Sequence, residues 1–128
     1  FMSEPVILVA EDERDIRDLI VFTLQIHGFT VMHVANGAEA VSKATTAQPD
    51  LILMDVRMPK MTGYEACEAL KGQESTRHIP IVFLSAKGQE TEINTGLELG
   101  AEDYFLKPFN PADLIEQVNK ILTKYGKI

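Results

Sequence analysis

Asp50-Leu51-Ile52-Leu53-Met54-Asp55 is the stretch on which the fold turns: four apolar residues between two carboxylates, with Pro59 and Gly63 following at turn-forming spacing. A short apolar run bounded in this way is the pattern of a strand covered on both faces, as in a parallel sheet. Asp55 is therefore expected where a buried strand surfaces into a loop. A carboxylate there can ligate a metal, act as a nucleophile or cap the next helix. What else reaches the same place decides among these uses.

Four more β-branched-rich runs, Val6–Ala10, Thr30–Val34, Ile79–Leu84 and Asp103–Leu106, join Leu51–Met54 and alternate with stretches of helical period. In the first of those stretches Ile16, Leu19, Ile20, Thr23, Leu24 and His27 recur at steps of three and four, which marks an inward face. Gly28 and Gly100 suit positions just past helix ends. Thr62 with Glu65, Asn36 with Glu39, and Asn110 before Pro111 suit helix starts. Strands alternating with helices imply parallel pairing through right-handed crossovers. The first, third and fourth runs are nearly free of polar residues and suit the centre of the sheet, whereas Thr30 and His33 suit the second to an edge.

In such a sheet functional groups gather beyond the carboxyl ends of the strands, where strand order switches. Strand ends one, three, four and five supply Glu11 and Asp12, Asp55, Ser85, and Lys107 before Pro108. Taken alone, Asp12 is as much a helix cap as a ligand, Lys107 a solvated surface charge and Ser85 a loop hydroxyl. Their joint position argues for a site. Three converging carboxylates repel one another unless a cation neutralises them, and an all-oxygen set without Cys or His suits Mg2+ rather than zinc. Metal, carboxylate, ammonium and hydroxyl together describe a phosphoryl site. Asp55 would attack phosphorus, Mg2+ and Lys107 would stabilise the phosphoryl oxygens, and Ser85 would hydrogen-bond one of them in the product.

The bulk composition narrows the class. The 128 residues fit one domain, with 45% hydrophobic and 24% charged residues and no sign of disorder. A net charge of -7 argues against gripping nucleic-acid phosphates. The single cysteine, Cys67, excludes an internal disulfide and reads as a small apolar helix residue in a reducing compartment. No apolar stretch approaches bilayer-spanning length and no signal peptide is visible, so a cytoplasmic, membrane-free domain over residues 1–128 is expected. Phe1, ahead of Met2, reads as left over from expression, and residues 2–4 as disordered or leading into the first strand.

The residues now converge on a family. Val9-Ala10-Glu11-Asp12-Glu13, Leu53-Met54-Asp55-Val56-Arg57-Met58-Pro59, Met61-Thr62-Gly63, Leu84-Ser85-Ala86 and Asp103-Tyr104-Phe105-Leu106-Lys107-Pro108-Phe109 stand in order and at spacing. Over essentially its whole length the chain resembles the receiver domain of bacterial two-component response regulators. That resemblance implies an α/β, flavodoxin-like, five-stranded parallel sheet of order 2-1-3-4-5, sandwiched in three layers with five helices. It implies that Asp55 accepts phosphate from a sensor histidine kinase or histidine phosphotransfer protein. Asp12 would bind Mg2+ directly, with Mn2+ as a substitute, Glu11 through water, and Arg57 through its backbone carbonyl. Lys107 would hold the phosphoryl group, Ser85 and Tyr104 would form the switch, and the Lys107–Pro108 bond would be cis. Arg57 and Lys87 lie two residues beyond Asp55 and Ser85 and are placed to influence the lifetime of the phosphoryl group.

The expected output is a conformational shift read by an effector protein or a fused domain, with no nucleic acid bound by this segment itself and no turnover beyond its own phosphorylation and slow dephosphorylation. Regulators of the winged-helix class typically carry an arginine where Gln117 stands, and a small residue where Glu116 stands. That departure favours a stand-alone or differently coupled receiver. Three other readings compete. An aspartyl-phosphate phosphatase or phosphotransferase of the haloacid dehalogenase type needs a second acid two residues after its nucleophile, and that position is Arg57. A phosphorylation-independent interaction module predicts loss of an acidic ligand or the lysine, and all are present. A flavodoxin-like cofactor carrier needs a phosphate-cradling first loop, which Glu11-Asp12-Glu13 would repel.

Overall fold

Strands β1 (Val6–Ala10), β2 (Thr30–Val34), β3 (Leu51–Asp55), β4 (Ile81–Ser85) and β5 (Asp103–Leu106) alternate with helices α1 (Arg14–Ile26), α2 (Gly37–Ala47), α3 (Gly63–Lys71), α4 (Glu90–Glu98) and α5 (Pro111–Lys124). The structure, a computed structural model, describes residues 4–86, 90–107 and 109–128, with 90–93 described by their backbone alone. The strands form one parallel sheet in the order β2-β1-β3-β4-β5. β2 is an edge strand, as Thr30 and His33 suggest, and β1, β3 and β4 are central.

The sheet builds two cores because side chains alternate across it. Ile7, Val9, Leu51, Leu53, Val82 and Leu84 face Ile20 and Leu24 of α1 and Leu114, Val118 and Leu122 of α5. Leu8, Ala10, Ile52, Met54, Ile81 and Phe83 face Ala40 and Ala44 of α2 and Ala66, Cys67 and Leu70 of α3. The result is the three-layer sandwich with the flavodoxin-like strand order. Cys67 is buried, and burial pushes its thiol up to about 11, so it remains protonated and packs as an apolar group.

Three details depart from expectation. β4 starts at Ile81 rather than Ile79, because Pro80 has no N–H to donate; its carbonyl instead accepts from Ile52 N at 3.0 Å. Leu19 and His27 do not face inward. Leu19, Phe22 and Ile26 are 45%, 62% and 63% exposed, a second apolar stripe on α1 that points to solvent. His27 caps the helix end, its Nδ1 2.9 Å from the Thr23 carbonyl, and Gly28 follows with φ 89°.

The helix starts behave as their residues dictate. Thr62 and Glu65 form a complete capping box. Asn36 accepts from Glu39 N at 2.9 Å, while Glu39 reaches back one residue further, to Ala35 N at 3.2 Å. Asn110 accepts from Ala112 N at 2.8 Å with Pro111 at the first helical position. Glu4 and Pro5 lead into β1, with Pro5 O accepting from Thr30 N at 3.0 Å. The expectations for residues 1–3 lie outside the described residues.

Candidate functional site

Three of the four strands that supply the site, β1, β3 and β5, hand their exit residue to a neighbour's carbonyl. Glu11 N donates to Val34 O at 3.1 Å, Val56 N to Leu84 O at 3.2 Å, and Lys107 N to Ser85 O at 2.7 Å. These bonds extend the ladders by one residue and bring the strand ends to a common rim.

The rim gathers the expected acids. Glu11, Asp12 and Asp55 offer carboxylate oxygens that all lie within 4.8 Å of one another. Glu11 is fully buried and Asp55 is 8% exposed, while Asp12 faces solvent. Lys107 Nζ, itself largely buried, bonds Glu11 Oε1 and sits 3.3 Å from Asp55 Oδ1. Asp12 does not cap α1. The N-cap is Glu13, whose side chain makes no cap hydrogen bond, so the capping use of Asp12 is overturned.

The electrostatics follow from this crowding. Burial, then the hydrogen bond shared with Asp55, drives the Glu11 carboxyl up against the opposing pull of Lys107, to about 7. Burial disfavours the Lys107 ammonium, but its bond to Glu11 and the charge of Asp55 outweigh that and hold it above the ordinary lysine range. Glu11 and Asp55 thus share one ammonium with Asp12 close beside them, and the remaining negative charge invites a cation. The oxygen-only donor set, with Asp12 open to water, fits a hard ion such as Mg2+.

A pH signature results. Because the folded-state pKa of Glu11 is raised, the folded protein binds the proton more tightly than the unfolded chain does. That stability is present below about pH 4.5 and is lost as pH rises towards 7. In the absence of divalent ions, urea denaturation should show stability falling by on the order of 1–3 kcal/mol across that window. Glu11→Gln should remove the slope; an unchanged slope in that variant would assign it to another group.

Ser85 is 5% exposed at the end of β4. It shares with Val56, Tyr64, Phe83 and Tyr104 the wall of a cavity of about 10 Å3, room for at most one water. Tyr104 is half-buried and pairs with Phe83 in the β4–β5 register, while the Tyr64 ring meets Phe83 edge-on at 5.2 Å. Arg57 lies exposed in the β3–α3 loop, which folds back so that Gly63 N donates to Val56 O at 2.8 Å. Lys87 and the Lys107–Pro108 peptide lie outside the described residues. Beside the acids an apolar groove of about 330 Å3 opens between Ile16 and Leu19 of α1 and Phe109, whose ring stacks on Phe105 at 5.1 Å.

One contact at the rim had no place in the sequence reading. Arg17 of α1 donates from Nη1 to the backbone carbonyl of Glu11 at 3.3 Å. The available signal was its place on the inward stripe, three residues before Ile20 and seven before Leu24.

Residues 7–119 match the family model of the response regulator receiver domain. The chain is 42% identical over 118 residues to the alkaline phosphatase synthesis transcriptional regulatory protein PhoP of Bacillus subtilis, an alignment covering 92% of this chain and 48% of that protein. It is 38% identical over 120 residues to the phosphate regulon transcriptional regulatory protein PhoB of Pseudomonas aeruginosa, covering 94% and 52% respectively. The chain thus spans about half the length of the curated relatives it matches. Among solved structures, the chemotaxis response regulator CheY4 of Vibrio cholerae superposes with a TM-score of 0.89 at 34% identity, over 94% of this chain and 100% of that one. The receiver domain of sensor histidine kinase PA1611 from Pseudomonas aeruginosa, with a magnesium ion coordinated in its active-site cleft, does so with a TM-score of 0.88 at 33% identity, over 94% and 99%.

Proposed function

The chain belongs to the response-regulator receiver family, and from that we propose that it accepts a phosphoryl group on Asp55 from a histidine kinase or phosphotransfer protein and relays the change to an effector protein or fused domain. The observation that carries this is the convergence of Glu11, Asp12 and Asp55 within 4.8 Å, with Lys107 Nζ 3.3 Å from Asp55. We read residues 1–128 as one receiver unit working in the cytoplasm; no helix among the described residues is long and apolar enough to cross a membrane.

An Asp55 carboxylate oxygen forms a bond to phosphorus as the bond from phosphorus to the donor's leaving group breaks, and the departing electron pair stays with that group. Asp12 and Asp55 would hold Mg2+ directly, Glu11 through water and Arg57 through its carbonyl, with Mn2+ able to replace it. When bound, the ion neutralises the acids and stabilises negative charge on the phosphoryl oxygens. Lys107 is already anchored by Glu11 and is poised to turn its ammonium towards the phosphoryl group on Asp55. Ser85 then offers its hydroxyl to a phosphoryl oxygen, and Tyr104, on the same small cavity, takes up the space released. Ligand binding or modification shifts a pre-existing balance between two such arrangements.

The output differs from that of a DNA-gripping segment, since the net charge of -7 opposes it. Gln117 Nε2 donates to Asp103 Oδ2 within the chain, which satisfies both groups on the β5–α5 face internally. That supports coupling to an effector by a route other than a charged pair across this face.

The discriminating assay measures stoichiometry and turnover together. With a small acyl-phosphate donor and Mg2+, the chain should take up no more than one phosphoryl group and release it slowly. Small phosphoesters should not be turned over. Sustained phosphoester hydrolysis, lost in Asp55→Ala, would instead support the phosphatase reading and displace this one.

A further inference from the structure

We infer that Arg17 is a positioning residue of the metal site, holding the peptide that joins Glu11 to Asp12. The inference rests on the phosphoryl-acceptor reading given above. Its basis is the Arg17 Nη1 bond to Glu11 O at 3.3 Å, made from a side chain rooted on the inward stripe of α1. The carbonyl it grips belongs to the same peptide plane as the Asp12 N–H. Fixing that plane fixes the backbone from which the Asp12 carboxylate is aimed at Asp55.

Few other restraints act there. Glu11 N is tied to Val34 O at 3.1 Å, and Glu13 N reaches Glu11 Oε2 only at 3.5 Å. The α1 N-cap, Glu13, contributes no side-chain bond. The loop carries three consecutive acids, Glu11, Asp12 and Glu13; Lys107 holds the side chain of Glu11, and their mutual repulsion still bears on the peptide that Arg17 grips.

The choice of partner is informative. Among the described residues Arg17 has no ion pair, and its buried Nε–H has no hydrogen-bond partner. A guanidinium forked onto Asp12 or Asp55 would occupy the lone pairs that a metal needs. Arg17 instead spends its contact on a carbonyl, leaving the carboxylates to the ion, and tolerates an orphan donor to do so. Its charge also offsets part of the repulsion among the neighbouring acids. Outer partners that orient ligands typically change metal affinity by about 10–100-fold when removed.

The test is Mg2+ titration of the full chain by isothermal calorimetry, with melting temperature measured in chelator. Arg17→Ala is expected to weaken Mg2+ binding about tenfold or more, while the metal-free protein still melts cooperatively within a few degrees of the wild type. Arg17→Lys, which keeps the charge and one donor, should recover part of the loss. Arg14→Ala, at an exposed helix position paired with Asp18, should leave affinity within twofold. At saturating Mg2+ the Arg17→Ala rate of acyl-phosphate labelling should return to near the wild-type value, the mark of a positioning role. Unchanged or tightened Mg2+ binding in Arg17→Ala would overturn the inference, and so would a loss shared equally by Arg14→Ala. If Arg17→Ala does not fold, Arg17→Lys decides: an affinity equal to wild type sinks the inference, and an intermediate one supports it. Failure of the wild type itself to bind Mg2+ and to be labelled would instead count against the phosphoryl-acceptor reading.

Discussion

Asp55→Asn is expected to abolish phosphoryl acceptance from a small acyl-phosphate donor at saturating Mg2+, lowering the labelling rate at least ~10^3-fold. The carboxamide keeps the shape of the side chain but has no anionic oxygen to attack phosphorus. It also removes one of the three carboxylates that fit a cation, so Mg2+ affinity should fall with it. The loss should not come from unfolding. Asp55 is attracted to Lys107 at 3.3 Å and repelled by Glu11 and Asp12, so removing its charge deletes terms of opposite sign. The metal-free melting temperature is therefore expected to move by only a few degrees. Labelling is read by the mass shift of the intact chain and its hydroxylamine sensitivity. Persistent labelling of Asp55→Asn at the wild-type rate would move the acceptor elsewhere.

Much of this site could be read in the sequence because parallel strands put their carboxyl ends on one rim. Once Leu51–Met54 reads as a doubly covered strand, Asp55 must emerge at that rim, and the same logic delivers Glu11, Ser85 and Lys107. The ladder bonds from Glu11, Val56 and Lys107 to neighbouring carbonyls are the physical form of that inference. Punctuation was equally legible where one side chain suffices, as with Thr62 or Asn110, because a cap is a local contact.

What escaped was non-local or a matter of degree. Leu19 shares the helical period of Ile16 and Ile20, yet it ends 45% exposed. Periodicity gives a stripe but not how far the neighbouring helix extends over it. Glu11 and Lys107 stand far apart in sequence, and nothing local says that Lys107 bonds the buried Glu11 as well as approaching Asp55. The strand boundary at Ile81 was readable in principle, since Pro80 cannot donate to a ladder. Arg17 was hidden because a single arginine on an otherwise apolar stripe resembles a chance surface residue until its carbonyl partner is seen.

Gly63→Ala should be among the most damaging single-methyl additions in the chain. A Cβ at residue 63 would lie 2.1 Å from the Asp55 carbonyl oxygen and 3.0 Å from Val56 Cα. Both obstacles are backbone, so no side chain can swing aside. Gly63 N already donates to Val56 O at 2.8 Å, which locks the start of α3 beneath the exit of β3. Relief therefore requires moving either the helix or the strand end that carries Asp55. The overpacking is expected to cost about 3 kcal/mol, lowering the melting temperature by roughly 10 °C. Molecules that remain folded should label more slowly, by about tenfold or more, because Asp55 is displaced relative to Lys107 and Asp12. Gly72→Ala is the control. Its Cβ would meet the Glu68 carbonyl oxygen only at 3.3 Å, and its backbone is already right-handed helical with φ -80°. There alanine should change stability by less than about 1 kcal/mol and leave labelling intact. If Gly63→Ala melted and labelled like Gly72→Ala, the close packing of α3 under Asp55 would be refuted.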